Sequence, residues 1–275
     1  MLTRVLLVFA ISCFFATPLF ASETIYRFAV VPQFEPRKLS GIWVPVIKEL
    51  ETRTGLKFKM VGSPKIQDFE ASFMAGDFDF AYMNPYHAML AAEKHSYIPL
   101  VRDGARELFG ILVVRKDSPI QSVSELAGKK IAFPSPNALG ASLLMRMELA
   151  TSYALEIKPV YVQTHSSVYL NVVLNKAEAG GGVLSTLNRQ KPSVQDKLRI
   201  LYQSRGMAPH PLMAHPRVPE MHRDKVRQAM LDMAATEKGV ALLNKIPIKQ
   251  AVPAQLADYL ILKEWGLERF YVKNE

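Results

Sequence analysis

The stretch PSPNALGASLLMRMEL, residues 134–149, follows the short apolar run KIAF at Lys130–Phe133. A second stretch of the same kind, THSSVYLNVVL at Thr164–Leu174, follows PVYV at Pro159–Val162. In both, a strand-length apolar run leads through a turn into a segment with helical spacing. Two such units place two helix N-termini at one end of a sheet, where backbone N–H groups and the helix dipole favour a small anion. These residues therefore predict an α/β protein that binds a small anion.

Strand-length runs alternate with amphipathic segments on both sides of this region. Because strands that alternate with helices along a chain pair in parallel, we expect mostly parallel sheets flanked by helices. In such sheets, ligands bind beyond the carboxyl ends of the strands. The last third of the chain, with Pro219–Leu243 and Pro253–Trp265, has helical patterns only, so we expect no further strand to start a third sheet.

Apolar spacing and turn residues predict the individual elements. The predicted helices are Ile42–Arg53, Ile66–Ala75, Pro85–Glu93, Leu139–Ala150 and Ser166–Asn175. The predicted strands are Tyr26–Val31, Leu56–Val61, Phe78–Met83, Tyr97–Val101, Phe109–Arg115, Lys130–Phe133, Pro159–Thr164, Gly181–Leu184 and Leu198–Gln203. Gly180–Gly182 lacks the lysine and hydroxyl residue of a P-loop, and we interpret it as close strand packing or a flexible lead into the next helix.

Residues 1–21 have the pattern of a secretory signal peptide. Arg4 supplies a positive charge, and Val5–Phe15 is an apolar run too short to span a bilayer. A polar junction begins at Ala21, so we expect cleavage there and export to the periplasm. A lipid anchor at Cys13 is the alternative, but this cysteine is followed by an apolar stretch instead of a polar tether. We therefore predict a periplasmic protein without a lipid anchor.

Composition argues against several function classes. Cys13 is the single cysteine, so the exported chain has no disulfide, thiolate nucleophile or cysteine metal ligand. The net charge is +9, but the basic residues are scattered, and we expect no nucleic-acid partner. The spacing of His210, His215 and His222 matches no compact metal-ligand motif, so we expect neither a metal nor a cofactor. A periplasmic hydrolase is less favoured, because the common nucleophile and metalloprotease motifs are absent from the sequence.

Six short motifs occur in order along the exported chain. They are Trp43-x-Pro45, Leu50-x-x-x-Thr54-Gly55, Gly76-x-x-Asp79-x-Ala81-Tyr82, Val113-Val114-Arg115-x-Asp117-Ser118-x-Ile120, Leu126-x-Gly128-Lys129 and Thr164-His165. This series resembles the periplasmic phosphate/phosphite/phosphonate-binding proteins of ABC importers. The resemblance implies a two-lobed type II periplasmic-binding fold, each lobe a mostly parallel sheet flanked by helices, with a hinge between the lobes. We expect residues 22–108 and 214–275 to form lobe 1 and residues 109–213 to form lobe 2.

The resemblance also implies where the ligand binds. Family members grip the oxyanion with a turn rich in Ser and Thr, and Asn137–Ser142 stands at that place in this chain. His165 takes a position that faces the ligand in the family; we expect it to be exposed at a helix start, with Ser166 or Ser167 as the N-cap. Of Tyr82 and Tyr86, we expect one to pack in the core. The candidate ligand-binding residues are Asn137, Gly140, Ser142, His165, Ser166, Ser167, Tyr82, Asn84, Tyr86, Gln33 and His210.

The ligand and the partner are left open at this point. Ser185 and His210 stand where aminoalkylphosphonate binders place acidic residues, which disfavours a ligand with an amine. Phosphate, phosphite, a simple phosphonate and a sulfur oxyanion all remain candidates. The resemblance implies an inner-membrane ABC permease as partner and a monomeric protein. The alternative is a ligand-sensing partner or input module of a sensor kinase for an oxyanion such as tetrathionate.

Overall fold

The chain folds into two separate β-sheets, each flanked by helices, in a computed structural model that describes residues 24–273. The predicted signal peptide and the alternative lipid anchor at Cys13 lie outside the described residues. The strands are β1 Ile25–Val30, β2 Lys57–Val61, β3 Phe80–Tyr82, β4 Ile98–Asp103, β5 Gly110–Arg115, β6 Lys130–Phe133, β7 Lys158–Tyr161, β8 Ala179–Val183, β9 Leu198–Gln203, β10 Leu212–Ala214 and β11 Ala251–Pro253.

Helices cover the faces of both sheets. The α-helices are α1 Pro36–Thr54, α2 Ile66–Met74, α3 Pro85–His95, α4 Leu144–Ser152, α5 His165–Val173, α6 Leu184–Leu187, α7 Pro192–Gln195, α8 Glu220–Met233 and α9 Glu237–Leu243. A π-helical turn at Leu139–Leu143 precedes α4, and 3-10 turns lie at Val123–Leu126, Leu256–Trp265 and Leu267–Arg269.

The first sheet has six strands in the order β11-β4-β10-β3-β1-β2 and forms the centre of lobe 1. Its β1 pairs in parallel with β2 and β3, whereas β10 is antiparallel to both β3 and β4. The second sheet has five strands in the order β7-β6-β8-β5-β9 and forms the centre of lobe 2. Its β6 pairs in parallel with β7 and β8, whereas β5 is antiparallel to β8 and β9.

Two chain segments cross between the lobes, and they pair with each other. The segment after β4 and the segment after β9 form an isolated antiparallel bridge between Leu108 and Met207. Their backbone N–H groups donate reciprocally to each other's carbonyl oxygens at 2.8 and 2.9 Å. A paired two-segment connection of this kind is where a hinge between two lobes bends. The exact lobe boundaries stay a prediction.

The expectation that the last third contains only helices was wrong. Between α9 and the final 3-10 turns, β11 joins the edge of the first sheet, antiparallel to β4. Its three residues are too few for an alternating pattern to appear in the sequence, and backbone pairing with Asp103, Arg102 and Val101 adds them to the sheet.

Two predicted helices begin differently. Helix α1 starts at Pro36, six residues before the predicted Ile42, because proline suits the first helical turn. The helix predicted from Leu139 opens as a π-helical turn, in which the N–H groups of Ser142 and Leu143 both donate to the carbonyl of Ala138.

The glycine run in β8 allows the neighbouring chain to pack closely against the strand, as one of the two sequence interpretations predicted. Gly181 lies in the second sheet directly under the π-helical turn. A methyl group added there would overlap the carbonyl oxygen of Ala141 and the ring of Phe133. The glycine therefore lets the turn that faces lobe 1 approach the sheet.

We expect Gly181→Ala to lower the free energy of unfolding by about 1–3 kcal/mol, because the overlap includes backbone that can relax only by shifting. Chemical denaturation followed by circular dichroism measures this loss. Gly62→Ala is the control, because an added methyl group there meets nothing within 4 Å. Equal stability of Gly181→Ala and Gly62→Ala would contradict the close-packing argument.

Candidate functional site

A cavity of about 290 Å³ lies between the lobes, next to the crossing segments. Gln33 and Tyr82 line it from the carboxyl ends of β1 and β3, and Ser185 and Asn188 line it from the region that follows β8. His210, which immediately precedes β10, completes this part of the wall. The cavity therefore lies where an α/β sheet is expected to present ligand-binding groups.

A second, much smaller chamber of about 20 Å³ adjoins this cavity. The two spaces share Gln33, Val183 and His210 in their walls. A chamber of this size holds about one water molecule. Five of the predicted ligand-binding residues line it: Gln33, Asn84, Gly140, His165 and His210.

His165 is buried, which corrects the expectation of an exposed histidine. Only 4% of its surface is accessible, because the backbone N–H of His165 reaches across to the carbonyl of Gln33 in lobe 1 at 3.4 Å. Its Nδ1 lies 3.2 Å from the hydroxyl of Thr186. Burial lowers the pKa of His165 to about 4, so the ring is neutral at neutral pH.

His210 occupies a similar environment on the opposite side of the chamber. Its ring stacks on Tyr82 with centroids 5.5 Å apart, and its Nε2 lies 3.4 Å from the side-chain nitrogen of Gln33. Burial, with a smaller contribution from His87 and His165, lowers the pKa of His210 to about 3. Because the amide nitrogen of Gln33 can only donate, Nε2 of His210 accepts and the ring proton is on Nδ1.

The N-cap of α5 is Thr164, not Ser166 or Ser167 as predicted. The hydroxyl of Thr164 accepts from the backbone N–H of Ser167 at 3.1 Å and lies 2.9 Å from the hydroxyl of Ser167. Thr164 takes this role because it is the last residue with extended backbone before the helix. Neither Ser166 nor Ser167 lines the cavity or the chamber.

Asn137 is fully buried and binds lobe 1 instead of facing the chamber. Its Nδ2 donates to Glu70 Oε2 at 3.1 Å and to the carbonyl of Val272 at 2.7 Å. Its Oδ1 accepts from the backbone N–H of Val272 at 2.9 Å. Glu70 is also buried and lies 2.7 Å from His87 Nε2. This cluster of Asn137, Glu70, His87 and Val272, the interlobe cluster, joins both lobes and the C-terminal segment.

Ser142 and Tyr86 likewise lie away from the two cavities. The hydroxyl of Ser142 accepts from Arg146 Nε at 3.3 Å, and Arg146 also donates to the carbonyl of Phe270 at 2.7 Å. Tyr86 packs against Tyr271 with ring centroids 5.6 Å apart. Of the two tyrosines considered, Tyr82 is the one that lines the larger cavity.

Sequence reasoning missed the charged residues of the larger cavity. Asp103, Arg106 and Glu107 lie at and after the end of β4, and Asn188 follows α6. No motif marks these residues. Only their position could have indicated them: they follow the ends of β4 and β8, and these strand ends lie at the same edge of the cleft as the predicted residues.

Within residues 24–273, no three His, Cys, Asp or Glu side chains are placed to hold a metal ion. Across the same described range, no helix is both long and apolar enough to cross a membrane.

Comparison with known proteins shows which family of proteins this chain resembles. A family model described as "ABC transporter, phosphonate, periplasmic substrate-binding protein" matches residues 28–259. The phosphonates-binding periplasmic protein of Escherichia coli is 20% identical over 238 residues, which cover 82% of this chain and 70% of that protein.

Solved structures support the same fold. A binding protein component of an ABC phosphonate transporter from Pseudomonas aeruginosa has a TM-score of 0.82 at 15% identity, covering 90% of this chain and 88% of that one. A Prochlorococcus marinus protein in complex with methylphosphonate has a TM-score of 0.79 at 15% identity, covering 89% of this chain and 98% of that one. The expected two-lobed α/β fold is confirmed.

We expect the protein to lose stability as the pH falls from 7 to 5, and His165 to account for about 2 kcal/mol of that loss. The unfolded histidine takes up a proton near pH 6.5, whereas the folded one, with its pKa lowered to about 4, does not. Lowering the pH from 7 to 5 therefore stabilises the unfolded chain relative to the folded one. Denaturant titrations at both pH values should give a smaller pH effect for His165→Gln, with the half-buried His95→Gln as the control. Equal pH effects in all three proteins would contradict a buried neutral His165.

The interlobe cluster generates a separate expectation. Asn137→Ala should lower the free energy of unfolding by about 2–3 kcal/mol, because it removes a hydrogen bond to a buried carboxylate and two to the backbone of Val272. Thermal and chemical unfolding measure this, with the exposed Asn244→Ala as control. A loss no larger than that of Asn244→Ala would mean that the cluster does not stabilise the structure.

Proposed function

This chain belongs to the family of periplasmic substrate-binding proteins of phosphonate ABC transporters, and on this premise we propose that it captures a small phosphorus oxyanion between its lobes for delivery to an inner-membrane ABC permease. The family is described as periplasmic, and the Pseudomonas aeruginosa relative is a binding protein component of an ABC phosphonate transporter. We propose the same for this chain: it binds its ligand without catalysing a reaction, and residues 1–21 direct its export without a lipid anchor.

The observation that carries the proposal is the chamber formed by both lobes at the start of α5. Gln33 and Asn84 reach it from lobe 1, and Gly140 and His165 reach it from lobe 2. A ligand bound there contacts both lobes at once. Since a ligand shifts a conformational equilibrium only through contacts that differ between the two states, such contacts favour the closed state.

His165 can act as a neutral hydrogen-bond donor. The Thr186 hydroxyl lies 2.9 Å from the carbonyl of Val183 and 3.2 Å from Nδ1 of His165, and it has one proton to donate. When Tyr169 donates to the Val183 carbonyl at 3.1 Å, the Thr186 proton can go to Nδ1 of His165. In that arrangement the proton of His165 is on Nε2, where it can be donated to an oxyanion. A hydrogen bond to a charged group contributes about 1.5–3 kcal/mol.

The chamber must enlarge before an oxyanion enters. With room for about one water, it does not hold a tetrahedral oxyanion in this closed arrangement. The hinge at the paired crossing segments allows the lobes to separate, and the wall shared with the larger cavity offers the space into which the ligand extends.

The transport role is favoured over the two alternatives. The family model and the Pseudomonas aeruginosa relative are described as parts of ABC transporters, and they give no support to a sensor-kinase partnership. A hydrolase would need an activated nucleophile. His165 and His210 face Thr186 and Gln33, respectively, and neither is paired with a serine or cysteine in the described contacts.

We expect phosphate, phosphite or methylphosphonate to raise the melting temperature of residues 22–275, whereas sulfate, thiosulfate and tetrathionate do not. A ligand at 100 times its dissociation constant adds about 2.7 kcal/mol to the stability.

His165→Ala should weaken binding of the active ligand by about 1.5–3 kcal/mol in calorimetry, with His95→Ala as control. Stabilisation by tetrathionate alone would replace the transport proposal with the sensory one, and unchanged affinity of His165→Ala would remove this residue from the site.

A further inference from the structure

The larger cavity is far bigger than a bare oxyanion needs. At about 290 Å³ it is near the lower limit of pockets that enclose small organic molecules, about 300–1,000 Å³. It adjoins the chamber at His165, and Gln33, Val183 and His210 line both spaces. A ligand that fills both spaces has an oxyanion at one end and an organic body that extends toward the crossing segments.

Positive charge gathers at the far end of this cavity. A recess of about 170 Å³ shares Arg106, Ser185 and Asn188 with the cavity and is lined in addition by Arg189 and Lys249. Arg189 is half-buried, and within residues 24–273 no carboxylate forms an ion pair with it. Its guanidinium donates only to the carbonyl of Asn244, at 3.4 Å. Burial and the nearby charge of Arg106 both lower the pKa of Arg189. A half-buried cation without a counter-charge is stabilised by an anion brought by a ligand.

The acidic groups of this region do not offset that charge. Asp103 is buried and already accepts from the backbone N–H groups of Ala105, Lys249 and Gln250, besides pairing with Arg106 at 3.2 Å. Glu107 is the remaining carboxylate in the wall of the cavity; it is exposed and lies against Gly206. A ligand amine would therefore meet one solvated carboxylate, whereas a ligand carboxylate would meet two arginines.

We propose that the ligand is a phosphonate with a second, carboxylate group, and that Arg189, assisted by Arg106, binds this carboxylate in the recess that adjoins the larger cavity. The inference rests on the proposed function, because the phosphonate end occupies the chamber at His165. The planar guanidinium suits a carboxylate, to which it can donate two parallel hydrogen bonds.

Calorimetry with three compounds that carry the same two-carbon unit on phosphorus tests the proposal: 3-phosphonopropionate, ethylphosphonate and 2-aminoethylphosphonate. We expect the wild-type protein to bind 3-phosphonopropionate at least about tenfold more tightly than ethylphosphonate, and 2-aminoethylphosphonate most weakly. Arg189→Gln should abolish the preference for the carboxylate, and Arg189→Glu should reverse it in favour of the amine. Arg227→Gln is the matched control, since Arg227 pairs with Asp224 on α8, away from the cleft. Melting curves of each variant establish that it folds.

The outcomes separate the two proposals. Binding of ethylphosphonate without a carboxylate preference, or a preference that persists in Arg189→Gln, overturns the assignment of Arg189 and leaves phosphonate capture standing. Tighter binding of 2-aminoethylphosphonate than of 3-phosphonopropionate overturns it as well. Failure of all three compounds to bind overturns phosphonate capture together with this inference.

Discussion

The buried carboxylate of Glu70 constrains how the two lobes meet. A carboxylate removed from water is tolerated only if hydrogen-bond donors replace the solvent, and Asn137 from lobe 2 supplies one of them. The same amide group pairs with the backbone of Val272, so the C-terminal segment is joined to both lobes. With the lobes held this closely, the chamber at His165 shrinks to the volume of one water, and the remaining open space lies toward the crossing segments.

The electrostatics of the cleft follow from this closure. A charged histidine is unfavourable between the lobes, where water is excluded. Burial accordingly lowers the pKa values of His165 and His210 well below neutrality. The inner end of the cleft therefore presents neutral histidines. Arg106, Arg189 and Lys249 line the recess at the other end. Under the proposed function, charge attracts the ligand at the outer end and neutral donors orient it at the inner end.

The architecture tolerates wide sequence change because it depends on patterns of residues more than on identities. At 15% identity, the two solved structures share the fold of this chain, with TM-scores of 0.82 and 0.79. In this chain, Gly181 maintains one feature that the pattern alone does not specify, the close approach of the π-helical turn to β8. That approach sets the height of the turn that faces lobe 1, and hence the size of the chamber.

Apolar spacing is a local property, and it was enough to predict the α/β fold class and most strands. Parallel strands bring their carboxyl ends to one edge, which is why Gln33, Asn84 and the turns at Asn137–Ser142 and Thr164–Ser167 could be grouped in advance. His210 became a candidate only through the family resemblance. Local patterns did not reveal that His165 is buried, that Asn137 binds Glu70 instead of facing the chamber, or that no carboxylate within residues 24–273 pairs with Arg189. Burial and pairing are set by what the other lobe and the C-terminal segment place against a residue, and those contacts join positions as far apart as Asn137 and Val272, which no local pattern relates.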